Sequence, residues 1–306
     1  MEKNPGNLQQ NQLATPGTRV LIREVGPRDG LQNEKLFLPA QIKMELIKRL
    51  ADAGISAIEA TSFVSPRAVP QLCDAEAVLE GMGELAPGVV LSALVGNAAG
   101  VQRALGVRQP ALRDIVVVVS ASEAHNQANL KRSVTESLSG LDDIRRLAAG
   151  RFMVRGAVAT AFGCPSQGWI SSGDVFRVVD SMMEAGIKEI TLADTAGMGE
   201  PEQVENLVGG VRERYPGITL ALHLHDTRGR GMENARAGVE AGVKVMESSV
   251  GGLGGCPFLH GAVGNVSTGK LVGMLHGIGV ETGIDLQRLS QCVRFLEEVL
   301  DRRLGG

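Results

Sequence analysis

The chain has 306 residues, 43% hydrophobic and 21% charged, which is ample material for a folded core and excludes wholesale disorder. Its 31 Lys and Arg residues nearly balance 34 Asp and Glu residues, and the net charge of −3 offers no basic surface for nucleic acid. Apolar runs are all shorter than about 18 residues, so we expect no membrane-spanning segment.

Residues 1–17 are polar, with one Lys, one Glu and no Arg, which fits neither a secretory signal nor an Arg-rich transit peptide. We interpret them as a mobile tail that precedes a single domain over residues 18–306. The four cysteines are far apart and form no CxxC pair, which predicts free thiols in a reducing compartment; they are Cys73, Cys164, Cys256 and Cys292. We therefore expect a cytoplasmic protein.

From residue 19 onward, short apolar runs alternate with longer amphipathic ones. Eight runs rich in Val, Ile, Leu or Thr predict strands at 19–25, 57–63, 89–95, 114–120, 152–159, 189–193, 219–225 and 243–249. Apolar residues at helical spacing between and after them predict helices at 40–53, 69–82, 132–149, 173–185, 201–214, 230–241 and 285–304.

Strands that alternate with helices predict a parallel sheet, because parallel neighbours need a crossover connection. The sheet could be open and doubly wound, or closed. The dinucleotide fingerprint GxGxxG is missing after the first strand, which reads Glu24-Val25-Gly26-Pro27-Arg28-Asp29-Gly30. Eight strands with polar residues at several strand ends favour a (β/α)8 TIM barrel, with the last helix as a C-terminal extra element.

The seventh predicted strand carries two histidines on one face. His223 and His225 alternate with leucines, so both imidazoles face the barrel mouth while the leucines face the outer helices. Two neutral nitrogen donors this close are typical of a divalent-metal site. The alternative is a pair of hydrogen-bonded interior histidines, and we favour the metal site.

Asp29, at the end of the first strand, is the candidate third ligand. A carboxylate with two histidines leaves positions open for an oxygen-bearing substrate. Asp29 could instead cap a turn. Its neighbour Arg28 could be a solvated surface charge, but at a barrel mouth it would stabilise a developing oxyanion. Glu59 on strand two and Asp194 at the end of strand six could be buried partners of Arg28.

A glycine-rich loop follows the eighth strand and reads Gly251-Gly252-Leu253-Gly254-Gly255-Cys256-Pro257. It could be a plain surface connection, or a mobile segment that closes the site and carries the Cys256 thiol over it. The next stretch, from Gly264 to Leu271, imitates a phosphate-binding loop. We reject that interpretation, because Leu271 stands where the magnesium-binding hydroxyl would be.

The chain resembles the 3-hydroxy-3-methylglutaryl-CoA lyase family of metal-dependent barrels. The matching motifs lie between residues 20 and 285 and are the run from Glu24 to Lys35, Thr61-Ser62-Phe63-Val64-Ser65-Pro66, Gly163-Cys164-Pro165, Asp194-Thr195, His223-Leu224-His225-Asp226, Gly251 to Pro257, and Gly264-Asn265-Val266. The resemblance implies a divalent cation, Mg2+ or Mn2+, held by Asp29, His223, His225 and Asn265.

The resemblance also implies roles in catalysis and binding. Arg28 would stabilise an oxyanion, Cys256 would be the acid/base of the loop, and Glu59, Asp194 and His223 would complete the catalytic set. We expect Gln32 and Thr195, within the matched motifs, to contribute to cofactor binding. The implied partner is an acyl-CoA substrate, cleaved to acetyl-CoA and acetoacetate as in leucine degradation and ketone-body formation. The family also implies a homo-oligomer.

Two segments depart from the family pattern. Phe258-Leu259-His260 replaces the usual tyrosine–alanine pair, and Ser267-Thr268-Gly269-Lys270 replaces Ala-Thr-Glu-Asp. These changes keep open a lyase that acts on a related 3-hydroxyacyl-CoA. A second alternative is the reverse chemistry, a Claisen-type transferase that joins acetyl-CoA to a 2-oxo acid. A barrel without turnover is a third alternative, against which the complete set of proposed ligands argues.

Overall fold

A computed structural model describes residues 17–254 and 264–305 of the chain. Its eight parallel strands close into a barrel in sequence order. The strands are β1 Leu21–Glu24, β2 Ala57–Ser62, β3 Val90–Leu94, β4 Leu112–Ser120, β5 Met153–Ala159, β6 Glu189–Asp194, β7 Thr219–Leu224 and β8 Val245–Ser248. Pairing of Leu21 with Val245 and of Glu24 with Ser248 joins the last strand to the first. The predicted TIM barrel is thereby confirmed.

The barrel is surrounded by helices. They are α1 Ala40–Asp52, α2 Ala75–Gly81, α3 Ala98–Gly106, α4 Glu123–Leu130, α5 Val134–Ser139, α6 Leu141–Ala148, α7 Ser172–Glu184, α8 Pro201–Arg214, α9 Gly231–Glu240, α10 Thr268–Gly277 and α11 Leu286–Leu300. The helix predicted at 132–149 is two helices, divided at Gly140. The extra C-terminal helix is α11, and it packs against α1. None of the helices in the described ranges is long and apolar enough to cross a membrane.

The hydrophobic core lies between the strands and the helices. Leu222 of β7 points outward, and its Cδ1 lies only 2.2 Å from where a Cβ on Gly238 of α9 would be. A glycine at this position lets α9 approach the strand closely. The strand thus turns its leucines to the helices and His223 to the inside, as its alternating sequence predicts.

Charged side chains fill the barrel interior. Arg23 of β1 pairs with Glu189 of β6 at 2.5 Å and with Glu247 of β8 at 2.9 Å. Arg155 of β5 is fully buried, and carboxylate oxygens of Asp114, Glu189 and Glu247 lie 3.5 to 3.8 Å from its guanidinium nitrogens. The Arg23–Glu189 and Arg155–Glu247 contacts cross the barrel, so these side chains form a layer of fixed charges beneath its carboxyl-terminal mouth.

Candidate metal centre and active site

A single π-helical turn after β1 carries two of the predicted site residues. The turn spans Gly26–Gly30, and the backbone N–H of Asp29 donates to the carbonyl of Val25 at 2.7 Å. It packs closely against the segment that follows β8, because a Cβ on Gly30 would lie 2.9 Å from Ser249 Oγ and from Leu253 Cβ. Glycine is needed here for this close approach, which places Arg28 and Asp29 at the mouth.

Asp29, His223 and His225 converge at this mouth. One potential ligand atom from each lies within 4.8 Å of the others. The two Nε2 atoms of the histidines are 3.2 Å apart, and His223 Nε2 is 3.9 Å from Asp29 Oδ2. The structure therefore brings Asp29 together with two histidines that are almost 200 positions away in the sequence, and it provides a possible metal site.

Asn265 completes this group. Its Nδ2 donates to Asp29 Oδ2 at 2.8 Å and to the carbonyl of Leu253 at 3.0 Å, which fixes the orientation of the amide. Its Oδ1 is buried and has no hydrogen-bond partner among the described residues. A buried oxygen without a partner is unfavourable unless something else satisfies it. One carboxylate, two imidazoles and one amide oxygen fit a divalent cation.

The electrostatics keep two of these groups in the forms that bind metals. Burial alone would raise the pKa of Asp29, but the charges of Arg28, His223 and His225 outweigh it and lower that pKa to about 2. Burial, together with the charge of His223, lowers the pKa of His225 to about 4. At neutral pH, Asp29 is therefore ionised and His225 is neutral.

Glu247 is a site residue that the sequence analysis missed. Its Oε2 lies 3.3 Å from His223 Nδ1, while Arg23 and Thr191 donate to Oε1 at 2.9 and 3.0 Å. Burial raises the pKa of Glu247, but the hydrogen bond to His223 and the charge of Arg23 hold it well below its usual range. A carboxylate on one nitrogen of an imidazole orients the other nitrogen toward a metal. The only signal in the sequence is an acid inside an apolar strand.

Arg28 is held between two carboxylates. Its Nε donates to Glu59, and its Nη1 donates to Asp29 Oδ1 at 2.5 Å. Glu59 is thus the buried partner of Arg28 that the sequence analysis considered. Gln32 Nε2 also donates to Asp29 Oδ1, at 2.8 Å, so this side chain contacts the cluster through Asp29.

Asp194 lies at the end of β6, fully buried. Its two oxygens accept the backbone N–H groups of Met198 at 2.8 Å and Gly199 at 3.0 Å, which orders the following loop. Burial raises its pKa despite these bonds. The next residue, Thr195, accepts the backbone N–H of Thr160 at 2.8 Å, and Thr160 is held in the left-handed region at φ +56°. The structure records no hydrogen bond that joins Asp194 to Arg28.

The glycine-rich loop begins at the base of the same site. Gly251, Gly252 and Gly254 have φ values of +64°, +67° and +104°, which glycine adopts without strain. The side chain of Leu304, from the C-terminal end of the chain, packs on Gly251, where a Cβ would lie 2.9 Å from Leu304 Cδ1. Cys256 and the segment 258–260 lie outside the described residues, as do residues 1–16 of the predicted tail.

A closed parallel barrel with a carboxylate, two imidazoles and an amide at its carboxyl end defines a class of metal-dependent barrel enzymes. Within this class, the chain belongs to the HMGL-like family, whose sequence model matches residues 19–296. The family membership predicted from the motifs is therefore confirmed.

The relatives are similar over nearly their whole length. The chain is 42% identical to a mitochondrial hydroxymethylglutaryl-CoA lyase of Bos taurus, over 94% of this chain and 88% of the relative. It is 40% identical to a cytoplasmic 3-hydroxy-3-methylglutaryl-CoA lyase of Danio rerio, over 94% of this chain and 85% of the relative.

Solved structures give the same result. An HMG-CoA lyase of Acinetobacter baumannii, in complex with coenzyme A and 3-methylmalate, has a TM-score of 0.89 and 40% identity, covering 94% of this chain and 93% of its own. An HMG-CoA lyase of Brucella melitensis has a TM-score of 0.89 and 41% identity, covering 93% and 100%.

Proposed function

We propose that the protein is a divalent-metal-dependent carbon–carbon lyase that cleaves 3-hydroxy-3-methylglutaryl-CoA to acetyl-CoA and acetoacetate. The convergence of Asp29, His223 and His225 beside Arg28 carries the proposal. Identities of about 40% to named lyases of this substrate support it.

Asp29, His223, His225 and Asn265 Oδ1 would hold the cation, for which we propose Mg2+ or Mn2+. When bound, such an ion polarises substrate oxygens and lowers the pKa of a hydroxyl group. Four protein donors leave positions open for substrate, since hard cations of this size prefer six ligands. Metal content after dialysis, compared between the wild type and Asp29→Ala, tests this part.

The chain's own groups would then move the protons. Nδ1 of His223 faces Glu247 and its Nε2 faces Asp29, so neither nitrogen of His223 is directed at a substrate hydroxyl. Asp194, whose pKa is raised, is therefore a better acceptor than His223 for the proton of the 3-hydroxyl. Loss of that proton forms the ketone of acetoacetate as the C2–C3 bond breaks and the electron pair passes to the thioester enolate. Arg28, oriented by Glu59, stabilises the enolate oxygen. Cys256 would donate a proton to C2.

A related 3-hydroxyacyl-CoA is the second candidate substrate. The Acinetobacter baumannii relative was solved with coenzyme A and 3-methylmalate, a hydroxydicarboxylate, and the segments 258–260 and 267–270 depart from the family pattern. Cleavage rates for several 3-hydroxyacyl-CoAs with Mg2+ and with Mn2+ distinguish the two. Our proposal is supported if 3-hydroxy-3-methylglutaryl-CoA, which releases acetoacetate, is cleaved faster than the other 3-hydroxyacyl-CoAs. Release of free CoA only when acetyl-CoA and a 2-oxo acid are supplied would replace it with a Claisen-type transferase.

We also propose that the protein acts in the cytoplasm as a homo-oligomer that carries out this step of leucine degradation and ketone-body formation. The thiols of Cys73, Cys164 and Cys292 are free, which is typical of a reducing compartment. Cell fractionation and light scattering test the location and the subunit count.

A further inference from the structure

We propose that Glu24 is a positioning residue that fixes the turn carrying Arg28 and Asp29 against the base of the glycine-rich loop. The inference rests on the proposed metal site and extends it to a residue beyond the ligands. Glu24 ends β1, is fully buried, and faces away from the barrel interior, since its neighbour Arg23 faces inward.

The carboxylate of Glu24 joins three segments of the chain. Its Oε1 accepts the backbone N–H of Gly26 at 2.7 Å and that of Val250 at 2.8 Å. Its Oε2 accepts the hydroxyl of Thr268 at 2.7 Å. These donors belong to the turn after β1, to the start of the glycine-rich loop and to the first residue of α10.

Each segment leads directly to a part of the candidate site. Gly26 is three residues before Asp29, and Thr268 is three residues after Asn265. Val250 immediately precedes Gly251, the first glycine of the loop that carries Cys256. The side chain of Glu24 thus holds together the two segments that supply the candidate oxygen ligands, Asp29 and Asn265. These two residues also contact each other directly, because Asn265 Nδ2 donates to Asp29 Oδ2.

The chemistry of Glu24 indicates more than ordinary packing. Within the described part of the chain, it forms no ion pair with Lys, Arg or His, and burial raises its pKa to about 7. Burying a carboxylate without a cation is unfavourable unless its acceptors are fully used. Two acceptor oxygens meet three donors here, which no apolar side chain can do. Gly26 makes room, because a Cβ there would lie 2.6 Å from Glu24 Oε1.

The test is Mn2+ affinity of the whole protein without substrate, measured by calorimetry and by the loss of the free Mn2+ electron-spin signal. We expect Glu24→Ala to weaken affinity about tenfold or more, the range seen when groups that orient metal ligands are removed. Glu24→Gln should stay within about threefold, because its carbonyl still accepts both N–H groups and its amide can donate to Thr268 Oγ1.

Gln109→Ala is the matched control. Gln109 is also buried and also makes three hydrogen bonds, to Leu79, Gly83 and Ala111, but before β4, at the opposite end of the barrel. The Gln109→Ala substitution should lower the thermal stability of the protein and leave its Mn2+ affinity unchanged. If Glu24→Ala does not fold, Thr268→Val, which removes only the donor to Oε2, takes its place with an expected loss of severalfold.

Amide hydrogen exchange provides the second measurement. In Glu24→Ala or Thr268→Val, the amides of residues 26–30 should exchange faster than in Gln109→Ala. Wild-type affinity and unchanged exchange in a folded Glu24 or Thr268 variant would overturn the positioning role alone. If the wild type and Asp29→Ala bind Mn2+ equally, the metal site itself is wrong and the inference falls with it.

Discussion

Glu247 Oε2 lies 3.3 Å from Nδ1 of His223, and this contact selects which imidazole nitrogen faces Asp29. When Nδ1 carries the proton, Nε2 keeps a free electron pair directed at the ligand cluster. The same carboxylate is held on its other oxygen by Arg23 and Thr191, so the orientation of the imidazole is fixed from inside the barrel.

Glu247→Gln should weaken Mn2+ binding about tenfold while the protein stays folded, since the amide keeps the shape but loses the charge. Titration calorimetry measures the effect. Glu189→Gln is the matched control, because Glu189 also pairs with Arg23 but makes no hydrogen bond or ion pair to His223. Equal losses in both variants would mean that interior charge, and not the imidazole contact, governs affinity.

Metal binding should release a proton near neutral pH. Burial lowers the pKa of His223, but the hydrogen bond to Glu247 and the charge of Asp29 outweigh it and raise that pKa above the ordinary value of 6.5. The protonated imidazole cannot bind a metal, so affinity should fall as pH falls through this raised value. His225, with its pKa of about 4, should not contribute. Calorimetry in buffers of different ionisation enthalpy counts the protons; a count of zero at pH about 6.5 contradicts the assignment.

Arg28→Lys should lower kcat about a hundredfold and change KM little. Lysine keeps the charge but cannot contact Glu59 and Asp29 through separate nitrogens of one planar group. Steady-state kinetics measures the change. Arg103→Lys, in a pair with Glu76 on the outer surface, is the control and should keep full activity. A loss confined to KM would assign Arg28 to substrate binding.

Cys256→Ser should fold, bind Mn2+ like the wild type and lose most of its turnover, because a serine hydroxyl is a far poorer proton donor than a thiol at neutral pH. Cys73→Ser, which changes an exposed thiol, should have no effect. Wild-type turnover in Cys256→Ser would remove the thiol from the mechanism.

The sequence predicts both ends of all eight strands to within two residues, because buried parallel strands are continuous apolar runs. Three helices, α3, α4 and α10, were not predicted. Glycine explains the omission for α10, which contains Gly269, Gly273 and Gly277, but not for α4, which contains no glycine. Glycine weakens helix propensity, and packing against the barrel compensates for it here.

The convergence of Asp29 with the two histidines could be predicted because strand ends of a barrel meet at one mouth. The roles of Glu247 and Glu24 could not be predicted, because Glu247 contacts His223, 24 positions away. Besides the nearby Gly26, Glu24 accepts hydrogen bonds from Val250 and Thr268, more than 200 positions away. A strand pattern indicates the face of such an acid but not the imidazole or amide that it meets.

The packing of Leu304 against Gly251 has a practical consequence for the expression of this protein. Leu304, which follows α11, contacts the first glycine of the loop that carries Cys256. A purification tag fused after residue 306 would be separated from this contact by two residues, so the kinetics of tagged and untagged protein should be compared.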